Sequence, residues 1–231
     1  MKRDHSNLVK KHFTTEWMKY GQYDNFVKKV CPGYEEMHKL IIKQFIPSKK
    51  RVHILDIGLG TGKTTQALLK KFPNAKIDGV DISASMIKKA KARLKKSKKV
   101  HFIEEDIKKF FSDKKYDFCV AVLSLHHLRH QEKKDVFRKI YYSLKDQGLF
   151  VIGDRVNFKT EKMTKERISS WKAYLNKIWG KETGKSLFVM FDKEDIPSKV
   201  TDQVHWLKNI GFSKVKIVWN YSIYAVFYAQ K

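Results

Sequence analysis

Short apolar blocks alternate with helix-spaced apolar stripes along most of this chain. Val52 to Ile57 is a strand-length block, and Thr64 to Phe72 reads as the helix that follows it. Lys76 to Asp81 is the next strand, and Ser83 to Lys96 is a helix with Met86, Ile87, Ala90 and Leu94 on one face. Val100 to Glu104 is a third strand. Tyr116-Asp117-Phe118 then leads into Cys119 to Leu123, a continuous apolar run suited to a strand buried on both faces. Val136, Phe137, Ile140, Tyr141 and Leu144 mark another helix, and Gly148 to Gly153 a fifth strand. Strands and helices in strict alternation predict an α/β protein with a doubly wound, mostly parallel sheet.

The pattern changes at both ends and once in between. Val200, Val204 and Leu207 stripe a helix that stops at Gly211, and the blocks Val215 to Trp219 and Tyr224 to Tyr228 are close enough to form an antiparallel hairpin. Ile168, Trp171, Leu175 and Ile178 space as a helix face inside an insertion over 155–194. Ahead of the sheet, Met37, Leu40, Ile41 and Phe45 mark a helix introduced by Cys31-Pro32-Gly33-Tyr34. The expected organisation is an N-terminal helical lid (1–50), a core (51–154), a helical cap (155–194) and a C-terminal helix and hairpin completing the core (195–231). Lid and cap would lie over the carboxyl ends of the strands, where such sheets bind ligands.

The first strand runs into Asp56-Ile57-Gly58-Leu59-Gly60-Thr61-Gly62, where alternate glycines let a ligand approach backbone N–H groups. Asp-x-Gly-x-Gly-x-Gly resembles motif I of the class I S-adenosylmethionine (SAM) dependent methyltransferases. Gly62-Lys63-Thr64 has the ending of a Walker A loop, but the glycine required five residues before Gly62 is Ile57. A carboxylate at the strand end would also repel a triphosphate, whereas it suits the ammonium and sulfonium of SAM. The glycines at 58, 60 and 62 do not make the Gly-x-Gly-x-x-Gly of dinucleotide binders either. The resemblance covers about residues 50–154 and 195–231 and implies a seven-stranded sheet of order 3-2-1-4-5-7-6.

The resemblance also carries residue roles. Asp56, Gly58, Leu59, Gly60 and Gly62 would hold the methionine part of SAM. Asp81, ending the second strand, would bind both ribose hydroxyls, since a carboxylate can accept two hydrogens at once. Ile82 and Met86 would sandwich adenine, with Asp106 and its neighbour Ile107 at the amino edge, and Leu123 and Ser124 would border the sulfonium. S-adenosyl-L-homocysteine (SAH) would be the product of methyl transfer.

Methyl transfer from a sulfonium is mainly a matter of alignment, and a base is required only when the acceptor brings a proton into the reaction. His126 and His127 follow the fourth strand and titrate in the useful range, so with Tyr23 they are the catalytic candidates. Tyr20, Tyr34 and Trp171 are candidates to wall the acceptor pocket, where aromatic faces also suit a cation. His126, His127 and His130 have no acidic ligand beside them in sequence, so no metal is expected. Cys31 and Cys119 are expected to be buried thiols rather than a disulfide or zinc ligands.

A chain of 231 residues with 42% apolar residues, 15 Phe and 10 Tyr can build a sizeable core. It has no apolar run approaching a membrane span and no secretion signal, so a cytoplasmic location and no membrane partner are expected. The formal charge of +25 comes from 49 basic residues, seven of them Arg, spread over three regions rather than gathered in a stripe. Nucleic-acid recognition would favour clustered Arg forks, so a solvated Lys surface is preferred and RNA stays as the alternative partner. The segment Asp202 to Phe212, the hairpin ending Ala225-Val226-Phe227 and Pro32-Gly33-Tyr34 also resemble bacterial carboxy-SAM synthases. Two departures, Ser124 for their Asn and no Arg in the insertion facing the site, favour plain SAM. The reading is therefore a SAM-dependent methyltransferase acting on a small molecule. The alternative is an RNA or tRNA methyltransferase or a carboxy-SAM-type tRNA-modification enzyme, and a non-catalytic SAM binder is the third class.

Overall fold

A computed structural model describes residues 23–46, 51–94 and 97–231. Two helices, α1 (Tyr23–Val30) and α2 (Tyr34–Gln44), precede β1 (His53–Ile57), α3 (Lys63–Lys71), β2 (Lys76–Asp81), α4 (Ala84–Leu94), β3 (Val100–Glu104) and β4 (Tyr116–Val122). After a single 3₁₀ turn (Leu125–His127) come α5 (His130–Ser143), β5 (Leu144–Arg155), α6 (Glu161–Trp179), α7 (Lys181–Glu194), α8 (Val200–Ile210), β6 (Lys214–Tyr221) and β7 (Tyr224–Gln230). The strands form one sheet of order 3-2-1-4-5-7-6. Strands β1 to β5 are parallel, and β7 pairs antiparallel with both β5 and β6. The doubly wound sheet with its terminal hairpin is as the alternation implied.

The central strands are mostly apolar along their middles because helices cover both faces. On one face Val136, Phe137 and Ile140 of α5 and Leu207 of α8 pack with Phe150 and Phe227. On the other, Met37 and Ile41 of α2, Leu68 of α3 and Trp171 and Leu175 of α6 pack with Ile54, Val120 and Val151. Several boundaries move. Leu144, read as the end of a helix stripe, begins β5, which runs twelve residues to Arg155. The insertion is two helices, and Ile178, assigned to its apolar face, is exposed while Trp171 and Leu175 are buried. Of the lid, residues 1–22 and 47–50 lie outside the described residues, and so does the Tyr20 candidate. No described helix is long and apolar enough to cross a membrane.

The lid helix α2 sits directly on β5 at Gly153. A Cβ there would lie 2.4 Å from Ile41 Cδ1 and 3.4 Å from Met37 Sδ, both side chains fully buried. Gly153→Ala is therefore expected to destabilise the chain by about 1–3 kcal/mol through overpacking, read from urea unfolding. A variant as stable as the parent would mean that α2 does not rest on β5.

Candidate functional site: a cofactor cleft at the carboxyl ends of β1, β2 and β4

The glycine loop is shaped by what lies against it. Gly58 and Leu59 donate their N–H groups to Val80 O, at 2.8 and 3.0 Å, which folds the loop over the end of β2. Gly58 has φ +69°, and a Cβ on it would lie 2.2 Å from Ser124 Cβ in the loop after β4. Ser124 in turn donates its hydroxyl to Ile57 O at 3.0 Å, so the two loops are drawn into contact where any side chain at position 58 would collide. Gly60, at φ +56°, turns its N–H onto Asp81 Oδ2 at 2.7 Å.

Asp81 is thereby aimed by backbone groups alone. Its Oδ1 accepts from Ser83 N at 2.9 Å, and burial pushes its pKa up while the two N–H groups partly offset this. Each carboxylate oxygen has a second lone pair, so a cis-diol can bind without displacing these bonds. Ile82, Met86, Asp106 and Ile107 line the same cleft, together with Gly58, Leu59, Gly60, Leu123 and Ser124. Asp106 Oδ1 accepts from Lys108 N at 2.9 Å, which holds the carboxylate at the cleft rim. These lining residues could hold adenosine, Ile82 and Met86 by stacking on the ring, Asp81 by accepting from the diol and Asp106 by accepting from the amino edge.

Two residues assigned to the cofactor do not line the cleft. Asp56 points beneath the loop, buried, with Thr65 Oγ1 donating to its Oδ2 at 2.5 Å, and burial pushes its pKa up to about 7. It braces β1 against α3 instead of meeting the ligand's ammonium. At Gly62, with φ +78°, a Cβ would lie 2.9 Å from Leu94 Cδ1 and 3.3 Å from Ala90 Cβ of α4, so no side chain fits there. The resemblance gave both residues a role at the ligand, but in the fold Asp56 turns inward to Thr65 and Gly62 lies against α4.

The candidates near the methyl end also separate. Leu123 adopts φ +51°, an uncommon conformation for a branched residue, and its N–H is held by Gly153 O at 2.8 Å. The kink passes His127 to the cleft, while His126 turns away into a small cavity behind it. There His126 Nδ1 meets Asp154 in a close hydrogen bond, and His127 Nδ1 lies 3.3 Å from Asp195 Oδ1. Burial disfavours the charged His126 ring, yet Asp154 and Asp195 outweigh it and raise its pKa. Burial likewise works against the Asp195 anion, but His126, His127 and Arg155 hold its pKa far below the usual range.

Tyr23 and Tyr34 both face the cleft from the lid. Burial, reinforced by Asp81 and Asp24, raises the Tyr23 phenol well above its ordinary range, which keeps the ring neutral. Trp171 is elsewhere: it is 1% exposed, donates Nε1–H to Val30 O at 2.8 Å, and supports α1 from behind.

Sequence reasoning missed the residues that close the site. Asp24 of α1 accepts from Thr61 Oγ1 at 2.7 Å and pairs closely with Arg93 of α4, whose other amino group donates to Thr61 at 2.8 Å. This clasp fastens the lid across the glycine loop. Lys63 and His38 also line the cleft; Lys63 Nζ lies 4.0 Å from the Tyr34 ring centre and 3.0 Å from Glu35 Oε1, and burial, with Lys63 beside it, pushes His38 down to about 4. Arg155, first residue of the insertion, lines the small cavity with its guanidinium on Asp195 Oδ2 at 2.6 Å and Phe191 O at 3.1 Å. An arginine therefore stands beside Leu123, His126 and His127, a placement that the sequence did not disclose. The only local signal was the Gly153-Asp154-Arg155 ending of an apolar strand.

The fold and cleft define a class I SAM-dependent methyltransferase-fold enzyme with SAM as its cofactor. Residues 54–148 match a family model described as a methyltransferase domain. A carboxy-S-adenosyl-L-methionine synthase of Nautilia profundicola is 28% identical over 96% of this chain and 96% of its own length. A malonyl-[acyl-carrier protein] O-methyltransferase of Ilyobacter polytropus is 41% identical, but over 44% of this chain and 37% of its own. Among solved structures, the magnesium protoporphyrin IX methyltransferase of Synechocystis with bound SAH superposes with TM-score 0.70 at 15% identity, covering 99% of this chain and 100% of that one.

Asp81→Ala is expected to weaken SAM binding by about 1.5–3 kcal/mol in calorimetry, the worth of hydrogen bonds to a charged acceptor; parent-like affinity would remove the ribose role. For Asp56 the linkage runs the other way from a salt-bridged acid. The folded state keeps its proton up to about pH 7, while the unfolded carboxyl releases it near pH ~4, so native chains hold the extra proton across that interval. Stability is then expected to fall as pH rises from 4 to 7, by on the order of 1–4 kcal/mol, and Asp56→Asn should flatten the slope. Equal slopes in the two chains, from denaturant melts across that range, would remove the assignment.

Proposed function

We propose that this enzyme is of the carboxy-SAM synthase type, in which the methyl group of SAM loses a proton and gains the carboxyl group of a second, carboxylic-acid substrate, which leaves with that proton in its place. The observation that carries the reading is the extent of the similarity. The match to carboxy-SAM synthases runs over 96% of both chains and so takes in the lid, which lines this cleft, and the paired insertion helices, the first of which backs α1 through Trp171. The higher identity to malonyl-[acyl-carrier protein] methyltransferases spans 101 residues, less than half of the chain.

The site chemistry supports the reading. A carboxyl group on the ligand needs a cation within reach, and Arg155 offers a buried guanidinium in the cavity beside Leu123 and His127. With α1 clasped over the glycine loop, the space beyond Leu123 is small, which suits modification of a bound nucleoside better than entry of a polynucleotide. One feature favours a second reading, methyl transfer to a small separate acceptor: Asp195 already neutralises Arg155.

Ligand carried through purification distinguishes the two. Denaturing the purified chain and weighing the released nucleosides is expected to give a species heavier than SAM by one carboxyl group. Release of SAH alone, with labelled methyl passing from SAM to a component of a metabolite extract, would replace the proposal by the second reading.

A further inference from the structure

Behind the methyl end, three donor atoms from two separate segments converge. His126 Nε2, His127 Nδ1 and Asp195 Oδ1 all lie within 4.8 Å of one another. Asp195 Oδ1 is 3.6 Å from the first nitrogen and 3.3 Å from the second. Ligand–metal bonds of about 2.0–2.1 Å in a tetrahedral site put neighbouring ligand atoms about 3.3–3.4 Å apart, and the two separations from Asp195 Oδ1 are close to that. The Asp195 side chain is 2% exposed, and no hydrogen-bond donor is aligned on its Oδ1. An oxygen of a buried carboxylate in that state requires an explanation.

The surroundings supply the remaining parts. Asp154 pairs with His126 Nδ1, which fixes the ring so that Nε2 faces Asp195 Oδ1 and, once its proton is displaced, could bind an ion, the outer arrangement usual for a metal-bound imidazole. Ile196 N donates to His126 O at 2.7 Å, so the chain leaving α7 is fastened to the 3₁₀ turn and the two ligand segments cannot drift apart. The adjoining cavity, about 60 Å³, has room for a further ligand. The same carboxylates that favour a positive charge on His126 would attract a cation there. Arg155 on Asp195 Oδ2 and the buried Lys133, which also feels both carboxylates, oppose part of that attraction, so the donor atoms rather than the net field must hold the ion.

We propose that His126, His127 and Asp195 form a binding site for one divalent first-row transition ion, with Asp154 as the outer support of His126. Two imidazoles and one carboxylate select zinc, cobalt or iron(II) over magnesium or calcium, which prefer oxygen alone. The site does not depend on which reaction the cleft performs.

The test uses the full, untagged chain, stripped with a chelator and titrated with Co²⁺ and then Zn²⁺. Expected is one ion per chain, a visible Co²⁺ absorption of four- or five-coordinate character that Zn²⁺ abolishes, and weaker binding as pH falls and protons compete for the imidazoles. Asp154→Asn should weaken affinity about 10–100-fold, and His127→Asn and Asp195→Asn at least as much. Circular dichroism and thermal midpoints check that each variant folds; His127→Asn leaves the Asp195–Arg155 pair intact and decides the matter if Asp195→Asn does not fold. No saturable binding by the parent, or a folded His127→Asn chain binding like the parent, would overturn the proposal.

Discussion

The contact between the glycine loop and the loop after β4 is the constraint on which the site depends. Gly58 and Ser124 approach so closely that no Cβ fits at position 58, and Ser124 ties itself to the carbonyl that precedes it. That approach turns the Gly60 N–H toward Asp81, giving this cleft carboxylate a fixed direction before any ligand arrives. It also leaves Leu123 in a left-handed backbone conformation whose cost the hydrogen bond to Gly153 helps to offset. A cleft shaped by backbone in this way is preorganised: the ordering entropy is already spent in folding, and ligand binding need not supply it.

Around that contact two polar systems divide the work. On the lid side, Asp24, Thr61 and Arg93 clasp α1 over the loop, with Trp171 and Val30 holding the helix from behind. On the sheet side, the ends of β4 and β5 and the exit of α7 bring His126, His127, Asp154, Arg155 and Asp195 together in a nearly dry pocket. Burial raises the energy of every charge in it, so the carboxylates, Arg155 and the imidazoles are stable only as a set. Replacing one member disturbs the others, and position 127 is where that set touches the cofactor cleft.

Much of this was legible in the residue pattern. Alternating apolar blocks and helix stripes are direct consequences of a parallel sheet covered on both faces, while the strand order was implied by the family resemblance and shown by the structure. Ile82, Met86, Asp81 and Asp106 could be placed because they stand at fixed offsets from strand ends, and strand ends are where such sheets open to ligand. Asp56 and Gly62 show the limit of the same argument. Spacing says that a residue is in the turn, but which way its side chain leaves the turn depends on Thr65 and on α4, which are set by packing.

What the sequence by itself determined is the succession of elements, their faces and the class of ligand that the first turn accepts, since these rest on local periodicity and on residue chemistry at short range. Only the tertiary structure decided which distant side chains share a site. Asp195 is separated from His127 by 68 positions and Asp24 from Arg93 by 69, and no local rule links them. Their meeting depends on how the insertion helices and the lid dock on the sheet, a choice made by the whole buried surface, and so the arginine beside the methyl end and the His–His–Asp cluster became visible only when the chain was folded.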